Sequence, residues 1–372
     1  MKILYSCLSK SWGGLEMVTL TSIQQLLKRD IKVELICSAD SRIHIEANNL
    51  GIILHPVKAS GYFHPATTAR LALLIRQNNY SLVHTQVSKD LWLLVPALIL
   101  ANSKIPLLLT KHVGSFIVKK DFLHNLLYKR VSKVLAISTA IKNNVSETTS
   151  VNKENIIILS NGVDTSRFNP DEVDSKKVRD EFASAVDEIV IGMLARFTPG
   201  KGHEEFLFAA KELSKDYLNL RFLIVGEPSR GETEYGDKIK QLARDYELDN
   251  IIFTGFRGDI PEVLAAMDIF AFPSHAEAFG IALVEAMAMK RPSVCSRAEG
   301  VLDIAVDGQT SYLFESKNAE DLKTKLKQLI DSKETQLKFG ENARKRILEN
   351  FDIEIVTDKV LKIYHEEVNK SL

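Results

Sequence analysis

Short apolar runs alternate along this chain with longer stretches whose apolar positions recur every three or four residues. KILYS, KVELIC, SLVHT, IPLLLT, KVLAIS and NIIILS come up to Ser160; EIVIGML, RFLIVG, IIFTGF, DIFAFPS, PSVCS and SYLFE come from Glu188 onward. Between them lie helical patterns such as Met17–Lys28 and Thr67–Gln77. Alternation of this kind predicts βαβ units and parallel sheets. The longest apolar run, LWLLVPALILA at Leu91–Ala101, is about half a membrane span and contains Pro96, so it predicts a buried helix. The pattern lapses over the polar stretch Asp171–Glu188 and then restarts. This predicts an α/β protein of two doubly wound, Rossmann-like domains facing across a cleft. Residues 1–170 would form the first and 188–350 the second, with a linker near Asp171–Glu188. A last helix over 351–372 would pack back on the first domain.

Both halves open alike, with a strand, a glycine-containing loop and a helix: KILYSCLSKSWGGLEMV and IVIGMLARFTPGKGHEEF. Ligands of doubly wound sheets sit beyond the carboxyl ends of the strands, so these loops are the places to look for chemistry. Gly13 and Gly14 permit close approach of backbone to a ligand. Arg196 and Lys201 lie just past a strand end with Gly200 and Gly202 beside them, a set that suits a diphosphate. Taken alone, that loop reads as a solvated turn with two surface charges. It is no Walker loop, because no Ser or Thr follows Lys201. Lys111 and His112 end another strand, LLLTKHVGS.

HAEAFGIALVEAMA, His275–Ala288, carries more. On one continuous helix Glu277 and Glu285 would be turned about 80° apart, beyond two full circuits. The spacing fits better if Glu277 lies in a loop and Gly280 opens the helix. A phosphate would then settle on the free N–H groups at Gly280, Ile281 and Ala282. Glu285, about a turn further on, would accept from ribose hydroxyls. Glu277 would reach hydroxyls on whatever hangs from the far phosphate. The alternative, two carboxylates on a buried helix, is costly unless both are partnered.

Composition narrows the partners. Lys plus Arg and Asp plus Glu number 48 each in 372 residues, so no global basic field for nucleic acid is present. The cysteines, Cys7, Cys37 and Cys295, have no CxxC spacing, which argues against a zinc site or disulfide framework and fits a reducing compartment. The first apolar run is too short for a secretory signal core, and a cytoplasmic protein is expected. Neither opening strand is followed by GxGxxG, which counts against a nicotinamide-dependent dehydrogenase.

The chain resembles the retaining glycosyltransferases of family 4, which have the two-Rossmann (GT-B) fold. The strongest match is the pair Glu277 and Glu285 within FPSHAEAFGIALVEAMAMKRPSVCS. GGLE, NGVD at Asn161–Asp164, Arg196 with Lys201, IIFTGF and VDGQTSYLF support it. The resemblance implies that Arg196 and Lys201 bind the diphosphate of a nucleotide-activated sugar, helped by the backbone of Gly280 and Ile281. Glu285 would hold the ribose and Glu277 the donor sugar. The backbone at Phe256 and Arg257 would meet the base, Gly13 and Gly14 would approach the phosphate, and His112 would contact the sugar near the reacting carbon. No cofactor or metal is implied. The chain departs from the family's usual pattern at VGEP (Gly226–Pro228), at Ser311, and at His84-Thr-Gln, where a second histidine is common. The implied reaction is sugar transfer to an acceptor hydroxyl with retention, in bacterial envelope glycan synthesis of the lipopolysaccharide type. A non-catalytic sugar-nucleotide or glycan-binding protein and a glycogen-type phosphorylase are the rivals; for the latter the chain is short and lacks a pyridoxal-lysine motif.

SFIVKKDFLHNLLYKRVSKV, Ser115–Val134, holds five basic residues against one acid, Asp121. Read as one helix, Phe122, Leu123, Leu126 and Leu127 share an arc with basic neighbours. That predicts either peripheral docking on the inner face of an anionic membrane, where a lipid-linked acceptor would lie, or a core-facing helix with lysines at its edges.

Overall fold

A computed structural model describes residues 1–58, 61–182, 187–228 and 231–371. The chain divides into two compact units, Met1–Gly162 with Ile353–Leu372, and Val163–Asp352. In the first, β1 (Lys2–Cys7), β2 (Lys32–Ser38), β3 (Ile53–Val57), β4 (Leu82–Thr85), β5 (Leu107–Lys111), β6 (Lys133–Ala136) and β7 (Ile156–Ile158) form a sheet ordered β3-β2-β1-β4-β5-β6-β7. In the second, β8 (Ile189–Leu194), β9 (Leu220–Val225), β10 (Ile251–Gly255), β11 (Ile269–Phe272), β12 (Ser293–Ser296) and β13 (Ser311–Phe314) are ordered β10-β9-β8-β11-β12-β13. Every pairing between these strands is parallel. The central strands are buried along their length rather than alternately, as in parallel sheets covered on both faces.

The strand order reverses beside β1 in one sheet and beside β8 in the other. These switch points are where such folds open a crevice for ligands. The first core gathers Ile3, Tyr5, Ile23, Leu26, Leu35 and Leu108, and includes Val360, Ile363 and Tyr364 of the last helix, Ile353–Ser371. The second gathers Ile191, Phe206, Phe222, Ile224, Ile269 and Phe314.

Several expectations change. The units meet in sequence at Gly162/Val163 and Asp352/Ile353, not at 170 and 350. The expected linker is largely part of the second unit: residues 176–181 are helical, Val178 and Phe182 are buried, and Arg179 pairs with Asp268 at 2.5 Å. Polarity there reflects a short edge helix rather than a tether. Residues 183–186 of that linker lie outside the described residues. β3 had no counterpart in the reading because ILHPV holds a histidine and a proline; as an edge strand it tolerates both. The run Leu91–Leu100 is a helix with most side chains buried, and Pro96 sits on its exposed side.

Ser115–Val134 is not one helix. Only Phe122–Lys129 is helical, opened by Asp121, whose side chain accepts from His124 N–H, and Lys133 already belongs to β6. Ser115 is clamped to Asn144 by two hydrogen bonds of 2.7 and 3.0 Å, which holds 115–118 as a loop. Nor does the helix turn its apolar arc to the core: Leu127 is buried, but Phe122, Leu123 and Leu126 are exposed.

Candidate active site

The second unit builds its site from two loops at the β8/β11 switch point. After β8 the chain runs through Arg196 to Gly202, where the helix His203–Asp216 begins. Gly202 has φ +80°, and a Cβ there would stand 2.3 Å from the Pro273 carbonyl oxygen. Only glycine lets the two loops lie this close. His275 N–H donates to the Gly200 carbonyl at 2.8 Å and ties them together. Arg196 is exposed at the start of the first loop. Lys201, at its end, forms an ion pair with Glu277 of the second.

Glu277 lies in the loop after β11, and its backbone carbonyl accepts from Gly300 N–H at 2.9 Å. Gly280 follows with φ +110°, and the helix Ile281–Ala288 starts behind it with no side chain capping its N-terminus. Leu283 and Val284 N–H donate back to the Gly280 carbonyl, which leaves the N–H groups of Ile281 and Ala282 as donors without partners inside the helix, at the positive end of its dipole. Glu285 is half-buried and has no hydrogen-bond partner among the described residues. Burial pushes its carboxyl up to about 7, while the charge of Arg167 pulls the other way.

Phe256 and Arg257 follow β10. Phe256 is 72% exposed, while the Arg257 guanidinium is held by Glu181 and Asp259 in two ion pairs of 2.5 Å. Its side chain is thus tied within the second unit. Among the described residues no group of three or more His, Cys, Asp or Glu side chains is placed to hold a metal ion.

The first unit has its own polar cluster at the β1/β4 switch point. Gly13 precedes the helix Gly14–Leu27, again without a side-chain cap. Ser6 Oγ, Leu8 N–H and Thr85 Oγ1 donate to Asp90 Oδ2 at 2.6, 3.2 and 3.3 Å, fixing the start of the loop after β1. Burial pushes Asp90 up to about 6, against the hydrogen bond from Ser6. His112, just past β5, is buried and bonded through Nε2 to Gln86 Oε1 at 2.9 Å. Burial first, and the charge of Lys111 second, pull its imidazole down to about 4, so it is neutral near pH 7. Lys111 is itself drawn down to about 8 by burial and by Lys119. Asp90 escaped the sequence reading, and Gln86 entered it only as a departure from the family pattern, because nothing in their local spacing marks a role and the partners Ser6, Leu8 and His112 come from other parts of the chain.

Each glycine-containing loop thus stands at a switch point of a doubly wound sheet, and the second unit adds cations, an open helix start and a carboxyl with no hydrogen-bond partner among the described residues. That defines a protein of two Rossmann-like units, each with a polar loop cluster at its switch point. The model of glycosyltransferase family 4 matches residues 12–167 and that of glycosyl transferases group 1 matches 174–346, so between them most of the chain is matched and it belongs to the family-4 glycosyltransferases. A capsular polysaccharide biosynthesis glycosyltransferase, CapM of Staphylococcus aureus, is 25% identical over 64% of this chain and 62% of its own length. The match therefore spans about three fifths of that relative. Among solved structures, a glycosyltransferase from Rickettsia africae superposes with a TM-score of 0.91 at 24% identity, over 99% of this chain and 98% of that one. Anabaena Alr3699/HepE, solved in complex with UDP-glucose, gives 0.82 at 23% identity, over 98% and 100%. Both structures establish the GT-B fold.

Proposed function

We propose that this protein transfers a sugar from a nucleoside-diphosphate donor to an acceptor hydroxyl. The observation that carries the reading is the meeting of Lys201, Glu277 and the open helix start at Gly280, with the unpartnered Glu285 one turn behind. Lys201 and Arg196 take the diphosphate, with the N–H groups of Gly280, Ile281 and Ala282. Glu285 takes the ribose, and Glu277 takes the donor sugar's hydroxyls. Since Lys201 and Glu277 already touch each other, an arriving diphosphate competes for Lys201 and releases Glu277 to the sugar. The backbone beyond β10 meets the base, and Gly13 and Gly14 approach the phosphate. His112, a neutral imidazole, contacts the sugar near the reacting carbon.

In the step, the bond from the anomeric carbon to the β-phosphate oxygen breaks and a bond to the acceptor oxygen forms. The acceptor's proton passes to the leaving phosphate, which gives glycoside and nucleoside diphosphate with retained configuration. Charge grows on the diphosphate, and preorganised cations and dipoles there are the largest catalytic contribution available. No metal or cofactor enters the proposal. A thermal-shift screen of UDP-, GDP- and ADP-sugars, followed by product analysis, tests it. Binding without turnover across donors and acceptors would leave a sugar-nucleotide-binding protein instead.

We further propose that the acceptor is lipid-linked, in cell-envelope glycan synthesis, and that the first unit docks on an anionic bilayer from the cytoplasmic side. Phe116, Ile117, Val118, Phe122, Leu123 and Leu126 are all at least half exposed. Tyr62 packs edge-on against Trp92 at 5.3 Å, Trp92 against His124 at 5.4 Å, and Lys89 lies over the Tyr62 ring at 5.0 Å. Tyr62 and exposed Phe63 therefore join the same surface, which the sequence reading confined to 115–134. Lys119, Lys120 and Lys129 supply the charge, whereas Arg130 and Lys133 are spent on backbone carbonyls. No helix of the described residues is long and apolar enough to cross a membrane, so contact would be peripheral. Co-sedimentation should require anionic lipid, weaken with salt, and drop in a Lys119/Lys120/Lys129 triple alanine variant. Equal binding to neutral vesicles, or none at all, would remove the membrane and favour a soluble acceptor.

A further inference from the structure

A chain of buried hydrogen bonds runs through the first unit from its last helix to His112. Tyr5 and Tyr364 share a hydrogen bond of 2.7 Å between their hydroxyls. The Tyr364 hydroxyl meets His84 Nδ1 at 2.5 Å. His84 Nε2 meets Thr110 Oγ1 at 2.8 Å and Gln86 Nε2 at 3.3 Å. Gln86 Oε1 meets His112 Nε2 at 2.9 Å. Tyr5, Tyr364, His84, Gln86, Thr110 and His112 are all buried, so the polar atoms joined in this chain depend on one another rather than on water.

The chemistry of an amide makes this chain directional. Its carbonyl accepts and its amino group donates, so Gln86 shows opposite faces to the two imidazoles. With the carbonyl towards His112, that ring carries its proton on Nε2. The amino group and the Thr110 hydroxyl then share the one lone pair of His84 Nε2, and His84 is left with its proton on Nδ1. Nδ1–H donates to the Tyr364 hydroxyl, which donates in turn to Tyr5. Reversing the amide reverses every tautomer: His84 moves its proton to Nε2 and His112 to Nδ1. Which ring nitrogen carries the proton is set by the hydrogen bond the other groups make, and here the groups are linked end to end. His112 Nδ1 has no hydrogen bond among the described residues and is not one of the sealed polar atoms. It is the free end of the relay.

We propose that Gln86 and Tyr364 are positioning residues that act through His84 to hold His112 with its proton on Nε2 and Nδ1 free to accept. The inference rests on the assignment of His112 to the sugar contact, but its physical content does not. Gln86 stands where a second histidine is common in the family. An imidazole there has one ring proton to share between two neighbouring histidines and cannot show an amide's paired faces. Tyr364 belongs to the segment returning from the second unit in sequence, so the last helix completes this part of the first unit chemically as well as by packing.

The test uses the full chain with 15N-labelled histidine rings and reads the protonated nitrogen of His112 by long-range proton–nitrogen correlation. In the native protein it should be Nε2. Tyr364→Phe keeps the ring packing but removes the acceptor for His84 Nδ1–H. A buried N–H without a partner is worse tolerated than a lone pair without one, so His84 should move its proton to Nε2, Gln86 should turn, and His112 should shift to Nδ1–H. Gln86→Met should uncouple the rings and leave His112 in a mixture of tautomers. Gln86→Glu restores an acceptor and should return His112 to Nε2–H. If transfer activity is found, kcat in Tyr364→Phe should fall about five- to tenfold, the scale of one hydrogen bond, with donor KM unchanged. A native His112 protonated on Nδ1, or one unmoved in both Tyr364→Phe and Gln86→Met, would overturn the relay and leave the transferase reading standing. Tautomer shifts in a protein that transfers no sugar would do the reverse.

Discussion

The two units share a sheet plan, yet they treat polar groups in opposite ways. The first buries its polar residues as a chain of neutral dipoles, Tyr5 to His112, with Asp90 enclosed by three donors. The second keeps its charges at the loop surface, Lys201 against Glu277 with Arg196 exposed nearby, and lets glycines bring backbone close. Their apolar surfaces differ too. In the first unit some exposed apolar side chains cluster at 116–118, 122–126 and 62–63, besides scattered ones such as Met17, Ile45 and Leu73; in the second Leu218, Phe256, Leu302, Leu337 and Leu348 stand apart in sequence. Scattered exposed apolar residues are ordinary, whereas a cluster rimmed by lysines calls for a partner. The same architecture can thus serve as a rigid, orienting half or as an electrostatic one.

The electrostatic half should be the easier to break. If Lys201 and Arg196 hold the diphosphate as proposed, Lys201→Ala should lower turnover by about 10²-fold or more, and Arg196→Ala similarly, because a preorganised charge against the leaving group would be lost. Steady-state kinetics with circular dichroism as a folding control would check this; near-normal turnover in both would return the loop to a solvated turn.

Separating the two glutamates sharpens the picture. Glu285→Gln should weaken nucleoside-diphosphate binding about tenfold, the loss of a charge-assisted hydrogen bond. Glu277→Gln should leave that binding intact or tighten it, since Lys201 is freed, while transfer falls. Calorimetry showing the opposite order would mean the two roles are exchanged.

Stability offers a smaller effect with a definite sign. Glu285 binds its proton more tightly folded than unfolded, so folding gains from it fully below pH 4.5 and loses that gain as pH rises through about 7. At roughly 1.4 kcal/mol per unit, discounted because the side chain is half-buried, the cost at pH 8 is about 1–2 kcal/mol. Glu285→Gln should therefore stabilise the protein at pH 8 and do so much less at pH 5, even while it weakens nucleotide binding. Chemical denaturation at the two pH values measures the difference. Least of all, Phe63→Ser and Leu218→Ser should each change stability by no more than about 0.5 kcal/mol, as exposed positions do. Only Phe63→Ser should reduce vesicle binding; an equal loss from both would erase the contrast between the surfaces.

The residues alone determined the alternation of strand and helix, the restart of the pattern after the first half, and the loop-then-helix form of 275–288. These depend on local periodicity and on glycines whose backbone freedom can be read in one dimension. Arg196, Lys201, Glu277 and Glu285 were legible because short loops at strand ends keep them near each other in sequence or in a recurrent motif. Tertiary structure alone decided the rest. It set the boundary at Gly162, drew Lys176–Glu181 into the second unit through Arg179 and Asp268, and turned Phe122 and Leu126 outward where periodicity left two readings. It also assembled Tyr364, His84, Gln86 and His112 from one helix and the ends of two strands. Their hydrogen bonds join residues as far apart as 280 positions, and a contact at that separation leaves no periodic trace in the chain.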